Sequence, residues 1–184
     1  MGQNNFPYKR TIIFGSTGVG KTTMVKRISE EFSLPIIDID SLRREAGKTA
    51  TPEETFSQLV TESVNSDTWI IDGSYTSVQD IIWPRAEAIV WLDFSFWVSL
   101  SRLIKRSLYR VFIRKKSERP VKGRYQPPSE RASNYLRAIF TSKQRRKRYF
   151  AALHNSKNKH LHIVRLSSPD DVTTWLDLLK NKER

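Results

Sequence analysis

The chain has 184 residues, of which 38% are hydrophobic, and a formal net charge of +13. This length supplies enough apolar side chains for one sizeable core, so we expect a single domain spanning residues 1–184. The absence of cysteine excludes disulfides, thiolate metal sites and a cysteine nucleophile. No apolar run approaches about 18 residues, and the opening MGQNNFPYKR lacks the apolar stretch of a signal peptide. We therefore expect an intracellular protein of the cytoplasm, with the nucleus as the alternative, and no membrane partner.

The positive charge is concentrated in one region of the chain. Between Ser101 and Phe150 there are 17 Lys and Arg residues and only two acidic residues, a local excess of +15, whereas the remaining residues carry a net charge of −2. Such a region is expected to meet an anion. The alternative is a solvated helical surface that has no partner.

The first 40 residues have the pattern of a β-α-β unit. The apolar, β-branched run Thr11–Phe14 predicts a strand, which is followed by a glycine-rich loop. A helix is predicted from about Lys21 to Phe32, and Leu34–Ile39 is interpreted as a second buried strand.

Three further elements are predicted in the middle of the chain. Thr51 is a good helix N-cap, because Pro52 and two glutamates follow it, and this helix should end near Val64. The short apolar runs Trp69–Ile71 and Ala88–Leu92 predict two strands, each followed by an aspartate.

The remaining pattern predicts helices on both sides of a parallel sheet. The basic region should be helical over about 96–113 and 129–153, with proline-containing breaks between, and His162–Leu166 should form a fifth strand. A final helix, capped by Ser168, should end near Lys180. Strands that are apolar throughout and alternate with helices indicate an α/β fold whose sheet is covered on both faces.

The loop after the first strand has the pattern G-x-x-x-x-G-K-[ST], which is typical of a phosphate-binding loop rather than of a flexible turn. Its backbone N–H groups and the following helix N-terminus can hold phosphates, Lys21 can reach the β- and γ-phosphates, and Thr22 can supply a hydroxyl to Mg²⁺. The predicted cofactors are therefore ATP and Mg²⁺. The predicted nucleotide-binding residues are Gly15, Ser16, Thr17, Gly18, Val19, Gly20, Lys21, Thr22 and Thr23.

The rest of the sequence favours a small kinase among the proteins that have such a loop. A GTPase needs an N-K-x-D motif, and the nearest match, Asn158–Leu161, has leucine in place of the acid. Large mechanical ATPases need a longer chain. A kinase needs an acid near Mg²⁺, a polar group at the acceptor, and cations around the transferred phosphoryl group.

Four aspartates lie at predicted strand ends. Asp38 and Asp40 are two residues apart, so in an extended strand their side chains share a face. Asp72 and Asp93 end the next two strands at the same edge of the sheet, where ligands bind in open parallel sheets. We expect the four acids to surround one site. Helix capping or turn formation is the alternative for each, and above all for Asp93.

Several segments together resemble the adenylate-kinase-like and shikimate-kinase-like branch of P-loop kinases, and most specifically the DNA topology modulation proteins and their fungal relatives. These segments are GSTGVGKTT, LPIIDID, WIIDGSY, RAEAIVWLDFSFWVSLSRLIKR and QRRKR. The resemblance implies a three-layer P-loop NTPase fold with a five-stranded parallel sheet. It also implies a basic helical lid, inserted at about 110–130, that closes over ATP.

The resemblance also suggests how the acceptor is bound. The pair Asp38 and Asp40 is similar to the Asp-x-Asp of shikimate-type kinases, in which the first acid lies near the metal and the second binds the acceptor hydroxyl. Asp72-Gly73 matches the Asp-Gly of nucleoside monophosphate kinases, but Ser74-Tyr75 follows where those enzymes have Phe-Pro-Arg. The expected acceptor residues are Asp38, Asp40, Gly73 and Tyr75. The expected metal-binding residues are Thr22 and Asp72.

In the related kinases the lid delivers arginines to the phosphates, and the resemblance implies the same role for arginines of the basic region here. Arg102, Arg106 and Arg110 recur at four-residue spacing on one helical face, and Arg145 and Arg148 form a second pair. The expected catalytic residues are Lys21, Asp40, Arg106, Arg110, Arg145 and Arg148.

These observations predict an ATP-dependent phosphotransferase that moves the γ-phosphoryl group of ATP to a small-molecule, nucleoside or nucleotide acceptor. The alternative is a nucleic-acid-associated protein with regulatory ATP binding or hydrolysis, since aromatic residues are interleaved with the basic ones. An inactive nucleotide-dependent partner protein is a third reading. Neither the acceptor nor the oligomeric state follows from the sequence.

Overall fold

The computed structural model describes residues 6–16, 18–73, 75–95, 97–98, 101 and 142–181. Side chains at positions 142–145 and 148 are not among the described parts. The predicted lid at about 110–130, and most of the two basic helices, therefore lie outside the described residues. Among the described residues, no helix is both long enough and apolar enough to span a bilayer.

The described elements alternate between strands and helices, as the sequence pattern predicts. The strands are β1 (Arg10–Gly15), β2 (Ile36–Ile37), β3 (Trp69–Asp72), β4 (Ala88–Leu92) and β5 (His162–Leu166). The α-helices are α1 (Lys21–Phe32), α2 (Ile39–Ala46), α3 (Pro52–Val64), α4 (Gln79–Ile82), α5 (Ser142–Leu153) and α6 (Pro169–Asn181). Short 3₁₀ turns occupy Thr76–Val78, Trp83–Arg85 and Ser156–Asn158.

The five strands form one parallel sheet in the order β2-β3-β1-β4-β5. β1 is the central strand of this order, and its side chains are buried on both faces of the sheet. Ile12 and Phe14 pack with α3 residues on one face, whereas Ile13 packs with α1 residues on the other. This alternation confirms the α/β three-layer fold.

The second strand is shorter than predicted, and a helix that the sequence pattern did not indicate follows it. Only Ile36 and Ile37 pair with β3. Asp38 then acts as the N-cap of α2, since its carboxylate accepts a hydrogen bond from the backbone N–H of Ser41 at 3.0 Å. The prediction that Asp38 and Asp40 extend from one face of a strand is therefore wrong. A capping aspartate satisfies an otherwise unpaired helical N–H group, and here it ends the strand.

Candidate functional site

An open cavity of about 1430 Å³ lies at the carboxyl ends of the central strands. The glycine-rich loop and the start of α1 form its floor, and Asp40, Asp72 and Tyr75 line it from the β2–β3 side. The loop and α1 residues in its wall are Gly15, Gly18, Val19, Gly20, Lys21, Thr22 and Thr23. The cavity thus unites the described part of the predicted phosphate loop with two of the four predicted acids.

Close packing against β4 requires glycine at the start of the loop. Gly15 has φ +150°, and a Cβ atom there would lie 2.7 Å from the carbonyl oxygen of Leu92. The loop then leads into α1, whose N-terminus has no side-chain cap and no acidic residue in its first turn. The start of α1, which is the positive end of its helix dipole, therefore lines the cavity, as an anion-binding site requires. Thr17 lies outside the described residues.

Lys21 is the first residue of α1, and its side chain folds back over the loop. Its Nζ atom donates a hydrogen bond to the carbonyl oxygen of Ser16 at 3.1 Å. The ammonium group is thereby held beside the loop whose N–H groups would bind phosphate. This is the position that the sequence motif predicts for it.

Thr22 and Asp72 come together from different elements. The Thr22 hydroxyl donates a hydrogen bond of 2.5 Å to Oδ2 of Asp72. Asp72 ends β3, and its Cα is in register with Ile13 of β1, so β3 lies next to the loop-bearing strand as expected. A hydroxyl and a carboxylate oxygen are the hard donors that Mg²⁺ prefers.

The expectation that four acids surround one site is wrong. Asp38 caps α2 and forms an ion pair of 3.6 Å with Arg44, and it is not among the cavity-lining residues. Asp93 is also absent from the cavity wall. Among the described residues, no group of three or more His, Cys, Asp or Glu side chains could hold a metal ion. Of the four predicted aspartates, only Asp40 and Asp72 line the cavity.

Asp93 instead pairs with two arginines, and its carboxylate is buried beneath their partly exposed side chains. Its side chain is only 6% exposed, and its Oδ2 atom lies 2.7 Å from Arg146 of α5 and 2.6 Å from Arg165 of β5. The Arg165 guanidinium also lies over the ring of Trp91, 5.3 Å from its centroid. Sequence reasoning missed both arginines. The one signal available was the register that a parallel β4–β5 pair imposes, since it places Trp91 opposite Arg165.

Tyr75 and Gly73 line the cavity beside Asp40. The pKa of Tyr75 is raised well above its ordinary value of 10.0, first by burial and then by the nearby charges of Asp40, Asp72 and Asp38. Tyr75 therefore remains a hydrogen-bond donor at neutral pH.

The opposite part of the cavity is lined by residues that sequence reasoning did not identify. They come from the exposed side of α1 and from α6. Within each helix they are three to four residues apart, and this spacing is the sequence pattern that could have indicated a shared face. These residues are Lys26, Arg27, Glu30, Pro169, Val172, Thr173 and Leu176. Because α6 follows β5, which is at the opposite edge of the sheet from β2, the α6 residues and Asp40 lie on opposite sides of the phosphate loop.

The predicted lid arginines cannot be located in the cavity. Arg106 and Arg110 lie outside the described residues. Arg145 and Arg148 belong to α5, but their side chains are likewise not described. Tyr149 of the same helix does line the cavity, and its ring packs edge-on against Phe14 with centroids 4.2 Å apart.

No protein-family model matches the chain, and no curated protein matches it. Solved structures that it resembles include a shikimate kinase from Bacteroides thetaiotaomicron, with 19% identity, a TM-score of 0.48, and coverage of 94% of this chain and 99% of that one. A gluconokinase from Sinorhizobium meliloti 1021 has 17% identity, a TM-score of 0.47, and 95% coverage of each chain. A shikimate kinase from Acinetobacter baumannii in complex with shikimate has 13% identity and a TM-score of 0.49, with 96% of this chain and 95% of that one covered.

At these identities and TM-scores, no activity and no residue role is transferred to this chain. The P-loop architecture rests on the chain's own loop, strand order and helix positions. None of these structures is described as a DNA topology modulation protein, so that narrower resemblance stays a prediction.

Proposed function

We propose that the protein is an ATP-dependent kinase that transfers the γ-phosphoryl group of ATP to a hydroxyl group of a small molecule. The observation that carries this proposal is the convergence of three groups on one cavity. Lys21 lies over the phosphate loop, Thr22 is paired with Asp72, and Asp40 stands on the same side of the loop as β2 and β3. A phosphate cradle, a metal-binding pair and a carboxylate are the groups that phosphoryl transfer requires.

The two walls of the cavity suggest how the substrates are arranged. The α6 wall offers apolar and hydroxyl groups, Val172, Leu176 and Thr173, which suit a nucleoside. The opposite wall offers Asp40 and Tyr75, which suit an acceptor hydroxyl. The phosphate loop between them would then hold the triphosphate with its γ-phosphoryl group directed to the acceptor.

In the proposed reaction, the acceptor oxygen forms a bond to the γ-phosphorus while the bond from that phosphorus to the bridging oxygen of ADP breaks. Asp40 orients the acceptor hydroxyl and receives its proton. Lys21 stabilises the charge on the phosphoryl oxygens. Thr22 and Asp72 would hold Mg²⁺, which supplies further neutralisation of phosphate charge when bound.

The remaining predicted roles are part of the same proposal. Arg106, Arg110, Arg145 and Arg148 would supply cations to the phosphates, because Lys21, Lys26 and Arg27 are the only cations among the described cavity residues. Water must also be kept from the phosphoryl group, which is the role of a closing segment in kinases.

A transfer screen tests the proposed function. ATP labelled at the γ-position is incubated with Mg²⁺ and, separately, with nucleosides, nucleoside monophosphates, sugars and hydroxy acids. We expect a labelled organic product with one class, and no product with Lys21→Ala, while the exposed-lysine control Lys48→Ala retains activity. If label appears only in inorganic phosphate with every class, the kinase proposal is wrong. A parallel gel shift across a salt series tests the nucleic-acid alternative, since several phosphate contacts predict a steep loss of affinity with salt.

A further inference from the structure

Arg43 of α2 contacts two other segments of the chain beside the cavity. Its Nη1 atom donates a hydrogen bond of 3.1 Å to Glu53 of α3, and its Nη2 atom donates one of 3.1 Å to the hydroxyl of Ser77. The guanidinium group also lies over the ring of Phe56, 4.3 Å from its centroid. Because Ser77 belongs to the 3₁₀ turn that follows β3, Arg43 connects α2 both to α3 and to this turn.

Two of the connected segments carry residues of the proposed acceptor wall. Asp40 lies three residues before Arg43 on α2 and lines the cavity. Tyr75 and Thr76, which directly precede Ser77, line it as well, whereas Arg43 itself is not among the cavity-lining residues. We propose that Arg43 is a positioning residue that fixes the place of Asp40 relative to the turn after β3. This inference rests on the proposed kinase function and assigns a role to a residue beside the site.

The helix that carries Asp40 has few other contacts to fix its position. α2 has eight residues and follows a strand of two residues, so little main-chain pairing holds it. Its buried side chains, Ile39 and Ala46, are at its two ends, and Asp40 is exposed. A displacement of about 1 Å at a reacting group can reduce the rate by about 100-fold. A small shift of α2 would therefore matter for transfer.

The three contacts of Arg43 require a guanidinium group. One N–H group is directed to Glu53 and another to Ser77, while the flat face stacks on Phe56, whose side chain is buried. The ammonium group of a lysine has no such plane and could not make all three contacts. The Arg43 and Glu53 side chains are 46% and 75% exposed, and exposed ion pairs contribute little to stability. We therefore expect Arg43 to affect the geometry of the site more than the stability of the fold.

Steady-state kinetics test this role with the acceptor that the transfer screen identifies. Arg43→Lys keeps the charge but loses the fork, so kcat/KM for the acceptor should fall by about 10- to 100-fold. The KM for ATP should be unchanged, because the phosphate loop is not touched. Ser77→Ala removes one partner of Arg43, so it should reproduce part of the loss and have less effect in the Arg43→Lys background. Arg44→Lys is the matched control, since Arg44 is the next residue and its ion pair with Asp38 is 3.6 Å long.

Two kinetic outcomes overturn the positioning role. One is a kcat/KM for Arg43→Lys equal to that of Arg44→Lys. The other is a loss with Arg43→Lys but none with Ser77→Ala, because Arg43 would then act on the acceptor itself and not through the turn.

Hydrogen exchange tests the anchoring of α2 without an acceptor. The α2 amides should exchange faster in Arg43→Lys than in Arg44→Lys, while the α6 amides exchange equally in both variants. Equal exchange of the α2 amides overturns the anchoring. Faster exchange in a protein that transfers phosphoryl to no acceptor instead overturns the proposed function, and with it the role of Arg43 in transfer.

Discussion

Thr22 donates a hydrogen bond of 2.5 Å to Asp72, although the two residues are 50 positions apart in the chain. The bond connects the first turn of α1 to the end of β3 and brings two oxygen donors beside the phosphate loop. When Mg²⁺ is bound, the oxygen atoms of Thr22 and Asp72 would hold it in place of this hydrogen bond.

The first prediction follows from this pair. Asp72→Asn keeps the size of the side chain but removes its charge, so ATP binding should lose most of its dependence on Mg²⁺, with metal affinity reduced by about 10- to 100-fold. Calorimetric titration of ATP with and without Mg²⁺ measures the effect. Asp67→Asn, an exposed change just before β3, is the control. If Asp72→Asn retains the full Mg²⁺ enhancement, the metal assignment fails.

Lys21→Ala should reduce ATP turnover by about 100-fold or more, because a preorganised cation is removed from the developing phosphoryl charge. The fold should be unaffected, since the ammonium lies over the loop and not in the core. Turnover and thermal unfolding are measured on the same preparations. Turnover equal to that of wild type would contradict the assigned role.

Asp40→Asn should separate binding from transfer. The substituted amide cannot take the acceptor proton, so the transfer rate should fall by about two to four orders of magnitude. ATP–Mg²⁺ affinity should stay nearly unchanged, because Asp40 lies on the acceptor side of the loop. Asp177→Asn, an exposed change in α6, serves as the control. Undiminished transfer by Asp40→Asn would remove Asp40 from the mechanism.

Tyr75 should ionise later than an ordinary tyrosine. Its folded-state pKa is raised above 10.0, so below pH 10 the group is protonated in both folded and unfolded chains and has no pH-dependent effect. Above that pH the unfolded chain loses its proton first, and stability falls as pH rises towards the folded-state pKa. The difference in absorbance near 295 nm between wild type and Tyr75→Phe should therefore show no tyrosinate until above pH 10. A component that titrates below pH 10 would contradict the burial of this hydroxyl.

The buried carboxylate of Asp93 should matter for stability. Asp93→Asn leaves the guanidinium groups of Arg146 and Arg165 without their charged acceptor, which should lower the free energy of unfolding by about 1.5–3 kcal/mol. Urea unfolding measures this change, with Asp67→Asn as an exposed control. A loss no larger than that of the control would mean that the cluster contributes no more than a surface ion pair.

The elements whose signals are local could be predicted from the sequence. The bounds of α1, Lys21–Phe32, agree with the prediction, and the predicted end of α3 at Val64 is also confirmed. The apolar runs of β1, β3, β4 and β5 were identified correctly, and so was the neighbouring position of β3 and β1. These features depend on hydrophobic periodicity, on a glycine-rich motif and on capping residues that act within a few positions.

The tertiary structure alone decided which acids reach the site. The sequence pattern placed Asp38, Asp40, Asp72 and Asp93 at strand ends around one site, but their partners depend on how distant segments pack. Asp38 is used by the helix that starts beside it, whereas Asp93 is paired with Arg146 and Arg165, 53 and 72 positions away. Asp40 and Tyr75 line the same cavity because β2 and β3, which they follow, are neighbours in the sheet. An ion pair or hydrogen bond between distant segments is set by strand order and burial, and no local pattern in the chain encodes it.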